Sequence, residues 1–235
     1  MCQTQIIDWD ARSNYTRASK TSGTYTLPIT GDATSGASNL TLSITEQLFG
    51  YMYTGTEWSS SGLGNFNENL RITDGQSDPG DVNSQGAGLQ LHQAVDITDD
   101  RVNDSRGSRT DRTQTTFRFS EPVCSLSFTI RDIDAVRDDY YDEVELYSPT
   151  PYTYQNGALV TGAGRHGSPW HITDYYDYSP TRPETSVGIT FSQPVQEFTV
   201  VYWNSEVDAN GRNFDGDQRI FLSDMTVGIE KQVCV

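Results

Sequence analysis

The pentapeptide Phe119-Ser-Glu-Pro-Val123 returns as Phe191-Ser-Gln-Pro-Val195, and each copy lies between two strand-like stretches. The first copy belongs to Thr116-Phe-Arg-Phe-Ser-Glu-Pro-Val-Cys-Ser-Leu-Ser-Phe-Thr-Ile-Arg-Asp-Ile-Asp134. A proline lacks the backbone N–H that a sheet ladder needs, so we expect each proline to sit in a turn between paired strands. A strand, a turn and a second strand, used twice, predict a β-sandwich.

Side-chain alternation around the first copy supports this prediction. Successive residues of a strand point to opposite faces, so Phe117 and Phe119 share one face, as do Leu126, Phe128 and Ile130 after the turn. The alternate positions are polar and comprise Arg118, Ser125, Ser127 and Thr129. One apolar and one polar face are typical of an antiparallel sheet with a solvated side.

The rest of the chain repeats short alternating or β-branched runs, separated by Gly, Asn, Asp, Ser and Pro. We predict an all-β fold: a single antiparallel β-sandwich over residues 1–235, jelly-roll-like, with long decorated loops. Two segments have the composition of long loops, 74–85 and an aromatic-rich insertion at 148–183. The predicted strands are Thr4–Trp9, Gly23–Ile29, Asn39–Phe49, Asn69–Thr73, Gly88–Gln93, Gln114–Phe119, Leu126–Arg131, Glu143–Tyr147, Val187–Phe191, Glu197–Trp203 and Ile220–Ile229.

The charge balance limits the possible partners. The 235 residues include 32 Asp and Glu against 16 Lys and Arg, giving a net charge of −16 and a pI near 4.3. Nucleic-acid binding needs clustered basic residues, so it is not expected. Insertion into a membrane is not expected either, because there is no run of about 18 apolar residues. The acidity suits a Ca²⁺-binding or salt-exposed extracellular protein, although solubility alone would also explain it.

A cluster of acidic residues comes after the first copy and is the leading candidate for chemistry. Asp132 and Asp134 extend the strand that ends near Arg131, so their carboxylates are expected on one side of its exit. Ca²⁺ takes six to eight oxygen ligands, several of them carboxylates converging from loops. We therefore predict Ca²⁺ as a structural cofactor, although a solvated acidic loop is the simpler alternative. The predicted ligands are Asp132, Asp134, Asp142, Asp217 and Asp224.

A second acidic segment, Asp208–Gln218, comes after the second copy. It places Asp and Asn among glycines, as in part of an EF-hand loop. The spacing departs from that motif after two positions, and no helical pattern flanks it, so it is not an EF-hand. It could be a Ca²⁺-ordered loop beside the first cluster, or a turn-rich hairpin without an ion.

The three cysteines allow different pairings. Cys2 and Cys234 lie near the two chain ends, where the first and last strands of a sandwich often meet, so we predict a Cys2–Cys234 disulfide. Cys124 would then be a buried thiol, and three free thiols in a reducing compartment are the alternative. Met1 directly precedes Cys2 without a signal-peptide pattern, so we expect a mature domain behind an added start codon.

Aromatic residues in the 148–183 segment suggest a binding surface. Exposed tyrosine and tryptophan rings beside Asp and Asn could form a stacking platform for sugars or a protein-binding patch. The alternative is that the loop folds back and buries these rings as a satellite core. The residues predicted to bind a ligand are Tyr152, Tyr154, Trp170 and Tyr176, with Tyr175 and Tyr178 nearby.

Catalytic signals are weak, so we expect no enzyme activity. His166 and His171 would need a third ligand to hold Zn²⁺. The nucleophile-elbow, zinc-protease, P-loop and dinucleotide-binding motifs are all missing from the sequence. Paired carboxylates for glycoside hydrolysis stay open as a third possibility, because their separation cannot be inferred from sequence.

Three segments together resemble a module of large, secreted, often wall-anchored multidomain surface proteins of actinobacteria and similar bacteria. They are Phe119–Asp134, Asp142-Glu-Val-Glu145 and Gln218-Arg-Ile-Phe-Leu-Ser-Asp-Met-Thr226, and the likeness covers about residues 116–227. It implies an extracellular jelly-roll-like domain for adhesion or assembly, with an ion site at Asp132 and Asp134. It implies no catalytic residues.

The sequence therefore predicts a non-enzymatic, secreted or cell-surface module that binds Ca²⁺ and serves adhesion or the assembly of a surface or fibre. The expected partner is a surface glycan or a protein, including further copies of the chain. A lectin-like module that uses the 152–178 loop is the alternative, and a polysaccharide-acting enzyme is the third.

Overall fold

The computed structural model describes residues 2–29, 39–50, 52–53, 69–72, 88–95, 109–206 and 218–230. Within these ranges the regular structure consists of strands and short 3-10 helices, the latter at Arg12–Asn14 and Pro183–Thr185. The strands are β1 Cys2–Ile7, β2 Tyr15–Ser19, β3 Ser22–Pro28, β4 Asn39–Phe49, β5 Met52–Tyr53, β6 Leu89–Val95, β7 Arg112–Val123, β8 Ser125–Arg131, β9 Ala135–Val136, β10 Tyr140–Tyr147, β11 Thr153–Asn156, β12 Val160–Thr161, β13 His171–Ile172, β14 Val187–Phe191, β15 Val195–Asn204, β16 Gln218–Leu222 and β17 Met225–Glu230.

Two antiparallel sheets pack against each other, which confirms the predicted all-β sandwich. Sheet I has the order β1-β17-β8-β16-β6-β5, with β14 paired to β8 and β11 paired to β14. Sheet II has the order β2-β3-β4-β7-β15-β10-β9. Strands β12 and β13 form a separate pair. A jelly-roll connectivity and a single domain over 1–235 stay predictions.

Aromatic rings from both sheets meet in the core. Phe198 of β15 stacks on Phe117 of its neighbour β7, with ring centroids 4.7 Å apart. It also stacks on Phe128 of β8, in the opposite sheet, at 4.8 Å. Removing a side chain of this size from water contributes about 1.5–3 kcal/mol. The alternation predicted for Phe117, Phe119, Leu126, Phe128 and Ile130 is confirmed, since all five are buried.

Both copies of the Phe-Ser-x-Pro-Val phrase are corners between the sheets. The first leads from β7 of sheet II to β8 of sheet I, and the second leads from β14 of sheet I to β15 of sheet II. The prediction that each proline separates two paired strands is therefore wrong. The two copies instead pair with each other through Val123 and Val195. Pro122 and Pro194 are exposed, where a missing N–H costs no ladder bond.

The disulfide differs from the predicted one. Cys2 is bonded to Cys124, across 122 residues of chain, so the predicted Cys2–Cys234 bridge and the buried Cys124 thiol are both wrong. The reason is the sheet order: β1 pairs with β17, and β17 pairs with β8, so the start of β1 lies beside the β7–β8 corner. Gly228 of β17 accepts a hydrogen bond from the Cys124 N–H. Cys234 lies outside the described residues.

Agreement with the predicted elements varies along the chain. The predicted strand Asn39–Phe49 has the bounds of β4, while Asn69–Thr73 supplies only an isolated bridge at Ile72. The 148–183 segment contains β11, β12 and β13 rather than being a structureless loop. The 74–85 segment lies outside the described residues. Within the described part of the chain, no helix has the length and apolar character needed to span a membrane.

Candidate functional site

The acidic cluster forms where β8 leaves sheet I. Strand β8 ends at Arg131, and Asp132 then adopts a left-handed backbone conformation with φ of 65°. Aspartate tolerates this conformation better than most residues because its short carboxylate can bond locally. The chain turns there, passes Asp134 and forms the β9–β10 hairpin, which returns with Asp142. Asp132 and Asp134 therefore take their positions from this left-handed turn, and not from an extension of the strand as the sequence predicted.

Asp134 and Asp142 are engaged by hydrogen bonds. The Asp134 carboxylate accepts from the Tyr140 hydroxyl at 2.9 Å and from the Tyr178 backbone N–H at 2.8 Å. The Asp142 carboxylate accepts from the Tyr202 hydroxyl at 2.7 Å and from the Asp134 backbone N–H at 3.1 Å. Buried tyrosine hydroxyls need such partners, so the phenols and carboxylates satisfy one another.

Asp132 is the exception in this cluster. Its side chain is only 7% exposed, and its Oδ1 atom has no hydrogen-bond partner among the described residues. A buried polar atom without a partner loses its hydration without compensation, at a cost of about 1–3 kcal/mol. This oxygen therefore remains available to a proton or a cation.

The three carboxyl groups hold protons more tightly than usual. Burial raises the pKa of Asp134 to about 7, and the Asp177 charge adds to this while the Tyr178 and Tyr140 hydrogen bonds oppose it. Burial, together with the charges of neighbouring acids in the cluster, also raises the pKa values of Asp132 and Asp142 well above their ordinary range. The cluster thus takes up positive charge readily, either as protons or as a cation.

Asp224, the fourth predicted ligand in the described residues, lies in another environment. It comes after β16, and its Oδ1 accepts from the Trp9 backbone N–H at 3.0 Å. Burial raises its pKa, and the Arg131 guanidinium opposes that shift. Asp217 lies outside the described residues, as does the Asp208–Asp217 segment. Among the described residues, no three His, Cys, Asp or Glu side chains are already arranged to hold a metal ion.

The predicted aromatic platform is divided between core and surface. Trp170 is completely buried, and its backbone pairs with Val144 of β10 on both its N–H and its carbonyl. Its role as an exposed stacking ring is therefore wrong. The ring packs so closely over Gly164 that a Cβ there would clash with it. Tyr152 is half-buried against the core, and its hydroxyl donates to the Leu146 carbonyl.

Two of the predicted rings do reach the surface. Tyr154 is 44% exposed and meets Trp170 edge to face, while Tyr176 is 60% exposed and lies 4.6 Å from the Tyr178 ring. Tyr175, also exposed, carries the Arg137 guanidinium over its face. The insertion thus contributes both a satellite core and a small tyrosine surface.

The two histidines of the insertion each contact an acid of β10. His171 Nδ1 lies 3.4 Å from the Glu143 carboxylate, and this acid raises the histidine's pKa. His166 lies 3.7 Å from Glu145, which also binds the Arg109 guanidinium at 2.7 Å. Both contacts join the insertion to sheet II. The histidines contact different acids.

The phenols that complete the acidic cluster were not predicted from the sequence. Tyr202 stands at a core-facing position of β15, between Val200 and Asn204 in the alternation, where a phenol needs a polar partner. That requirement was a usable signal, although the partner's identity depends on the pairing of β10 with β15. The Tyr178 backbone contact carries no sequence signal.

Comparisons of the chain with protein-family models, with curated proteins and with solved structures find no significant match. The function of the chain must therefore be inferred from the geometry of its own residues.

Proposed function

We propose that this chain is a non-catalytic β-sandwich module of a secreted or cell-surface protein, that it binds Ca²⁺ at the Asp132–Asp134–Asp142 cluster, and that it serves adhesion or surface assembly. The observation that carries the proposal is the buried carboxylate cluster with one oxygen left without a partner among the described residues. The resemblance to bacterial surface modules agrees with this role and stays a prediction.

The acidic cluster carries an electrostatic cost. Three ionised carboxylates, each less than a tenth exposed, repel one another in a poorly solvated site. Protonation or a bound cation relieves that repulsion. Ca²⁺ is favoured among cations because its ligands are hard oxygens in adaptable geometry, and the carboxylates and phenols here offer only oxygens. Since the carboxylates are not yet arranged around one point, side chains of the cluster must rearrange when the ion binds.

Two further observations support an extracellular binding role. The Cys2–Cys124 disulfide is expected in an oxidising compartment, where such bonds persist. Asp134 also binds the backbone of Tyr178, beside exposed Tyr176, so an ion at the cluster would hold the tyrosine surface in place. A structural ion that orders a contact surface fits adhesion better than catalysis.

The test is thermal unfolding in EDTA, in millimolar Ca²⁺ and in millimolar Mg²⁺. Ca²⁺ should raise the midpoint, because a ligand at 100 times its Kd stabilises the folded state by about 2.7 kcal/mol. Asp132→Asn and Asp142→Asn should abolish the response, and asparagine also tolerates the left-handed backbone at 132. The matched control is Asp10→Asn, an exposed acid outside the cluster, which should respond like the wild type.

An unchanged wild-type midpoint in Ca²⁺ would refute the ion site. If Asp142→Asn then raised the midpoint at neutral pH without any metal, the cluster would be held together by protons instead.

The lectin-like alternative, as predicted from the sequence, placed the sugar site in the 152–178 loop. Trp170, the largest ring of the insertion, is buried in the core and cannot stack on a sugar. The exposed aromatic surface that favoured sugar binding at the insertion is therefore much smaller than predicted. A different surface of the molecule fits a sugar better.

A further inference from the structure

A shallow groove of about 310 Å³ crosses the outer face of sheet I. It lies over β8, β11, β14 and β17 and is bounded at one side by the turn that joins β16 to β17. Its size is at the lower limit of ordinary ligand sites, but such sites are mostly apolar. The lining of this groove is mostly polar, and its hydroxyl, amide and carboxylate side chains include Ser127, Thr129, Gln155, Thr190, Asp224 and Thr226.

Strand register puts the hydroxyl groups in rows. Thr190 of β14 is opposite Ser127 of β8, and Ser127 is opposite Thr226 of β17. Neighbouring strands are about 4.8 Å apart, so these three hydroxyls form a line across the sheet. In the next row, Gly188 of β14 is opposite Thr129 of β8. The rigid backbone ladder therefore fixes the spacing of the hydroxyls in advance.

Gly188 creates the open floor of the groove. Gln155 of β11 is its cross-strand partner, and a Cβ at 188 would meet only the Gln155 carbonyl oxygen, at 4.0 Å. The missing side chain is thus not required by strain or crowding. It leaves room above the sheet, with the Gln155 amide at one side and the Thr129 hydroxyl at the other.

Four hydroxyl groups of the groove have unused hydrogen-bonding capacity within the described part of the chain. The hydroxyls of Ser127, Thr129, Thr190 and Thr226 make no hydrogen bond to other described residues. Water must therefore satisfy them in the free protein. Hydroxyl groups of a ligand can replace such waters with little loss of enthalpy and release them to bulk. A rigid row of donors and acceptors also loses little conformational entropy on binding.

The charge of the groove selects the kind of ligand. Within the described residues that line it, Asp224 is the one ionisable side chain, and its Oδ1 is already anchored by the Trp9 N–H. Its second carboxylate oxygen can accept hydrogen bonds from the hydroxyls of a ligand. The chain as a whole carries a net charge of −16, so an anionic ligand would be repelled.

We propose that this groove binds a neutral, hydroxyl-rich ligand, namely a short stretch of an uncharged polysaccharide. Ser127, Thr190 and Thr226 contact its hydroxyls in a row, Gln155 and Thr129 contact a second row, and Asp224 accepts from a pair of hydroxyls at one end. Binding here is independent of the acidic cluster, so the proposal can fail or succeed whether or not Ca²⁺ binds.

The experiment is isothermal titration of the intact chain with four neutral hexasaccharides: cellohexaose, xylohexaose, mannohexaose and fully N-acetylated chitohexaose. At least one should bind the wild type. Gly188→Leu should abolish that binding, because its side chain fills the groove floor without disturbing the backbone. Thr190→Val keeps the shape and removes one hydroxyl, so its affinity should fall about two- to tenfold.

Two controls locate the site. Thr116→Val makes a similar change in sheet II, away from the groove, and Tyr176→Ala removes the most exposed tyrosine among the described residues of the insertion. Both should bind like the wild type. Binding to none of the four sugars, unchanged binding by Gly188→Leu with a wild-type melting midpoint, or loss of binding in Tyr176→Ala would each overturn the proposal.

Repeating the titration in EDTA separates the two proposals. Groove binding that survives EDTA supports the groove irrespective of the calcium result. Binding that disappears in EDTA would place the sugar site at an ion, not in this groove, and would also count against the proposal.

Discussion

The two copies of the Phe-Ser-x-Pro-Val phrase carry the chain between the sheets in opposite directions. Phe119–Val123 leads from sheet II to sheet I, and Phe191–Val195 leads back from sheet I to sheet II. Phe119, Phe191, Val123 and Val195 are all buried, and the two valines are cross-strand partners. The similarity of the copies thus reflects one architectural task, a corner with a buried aromatic and an exposed proline.

The copies differ in the residues that come after them. Beyond the first copy, β8 ends in the left-handed turn at Asp132 and leads to Asp134. Beyond the second, β15 carries Tyr202, whose hydroxyl donates to Asp142. One copy delivers carboxylates and the other a phenol to the same cluster. The residues that the two copies share form the corners of the sandwich, and the residues that differ after each corner form the candidate site.

The largest test of this comparison is a matched pair of truncations. Phe119→Ala and Phe191→Ala each remove a completely buried ring from equivalent corners. Deleting a buried phenylalanine costs about 3–5 kcal/mol, so both variants should lose stability by similar amounts in this range. Urea unfolding measures the change. A loss confined to one variant would show that the corners are not equivalent.

The disulfide should make the two corners differ in their contribution to stability, because Cys124 lies at the first corner and the second corner contains no cysteine. Removing the Cys2–Cys124 bond with the double variant Cys2→Ser/Cys124→Ser should cost about 2–5 kcal/mol, since the bond closes a long loop. Reducing agent should destabilise the wild type to the same level and leave the double variant unchanged. Unfolding with and without the reductant measures both. Equal sensitivity in the two proteins would contradict the assigned pairing.

These elements show how much of the fold could be predicted from the sequence. The strand Asn39–Phe49 was predictable because alternation is a local property, and Leu40, Leu42 and Ile44 face the core as it requires. The closeness of Asp132 and Asp134 to Asp142 was also foreseeable from a short hairpin. The disulfide was not, because it depends on β1 lying beside β17, a pairing between segments far apart in the chain.

The candidate sugar surface shows a second limit of prediction. Aromatic composition favoured the 148–183 insertion, yet composition cannot tell whether a ring such as Trp170 faces outward. The groove residues come from β8, β11, β14 and β17, and no local pattern of sequence joins them. Serine and threonine at alternate positions indicated only a solvated face. The groove itself exists because of register and because of a glycine at 188.

The strand that carries the first copy, β7, also contacts a buried acid whose ionisation can be tested by changing the pH. Thr115 of β7 donates to the buried Glu46 carboxylate of β4 at 2.8 Å. Burial raises the pKa of Glu46 from 4.5 to about 8, and the Thr115 and Asn69 hydrogen bonds only partly oppose it. The folded state therefore keeps a proton that the unfolded state releases first as the pH rises.

The stability that Glu46 contributes should fall as the pH rises. It is fully present below about pH 4.5 and is lost as the pH rises to about 8. A difference of one in pKa corresponds to about 1.4 kcal/mol, so we expect a loss on the order of a few kcal/mol. Glu46→Gln should remove this part of the pH dependence and be more stable than the wild type near pH 8. Urea unfolding between about pH 4.5 and 8 measures this pH dependence, and Glu121→Gln, at an exposed acid, is the control. Parallel plots of stability against pH for Glu46→Gln and the wild type would contradict the role given to Glu46.

The smallest expected effect concerns the contact that joins the strands of the two copies on the surface. Arg118 of β7 and Glu197 of β15 form an ion pair of 2.9 Å, with side chains 62% and 37% exposed. Water and salt screen such a pair, so a double-mutant cycle with Arg118→Ala and Glu197→Ala should give a coupling of about 0.2–1 kcal/mol that fades at high salt. A larger, salt-independent coupling would mean that charge, and not the buried Val123–Val195 pairing, aligns the two corners. A small coupling energy would mean that the buried residues of the core, including the repeated phenylalanine and valine positions, align the two corners.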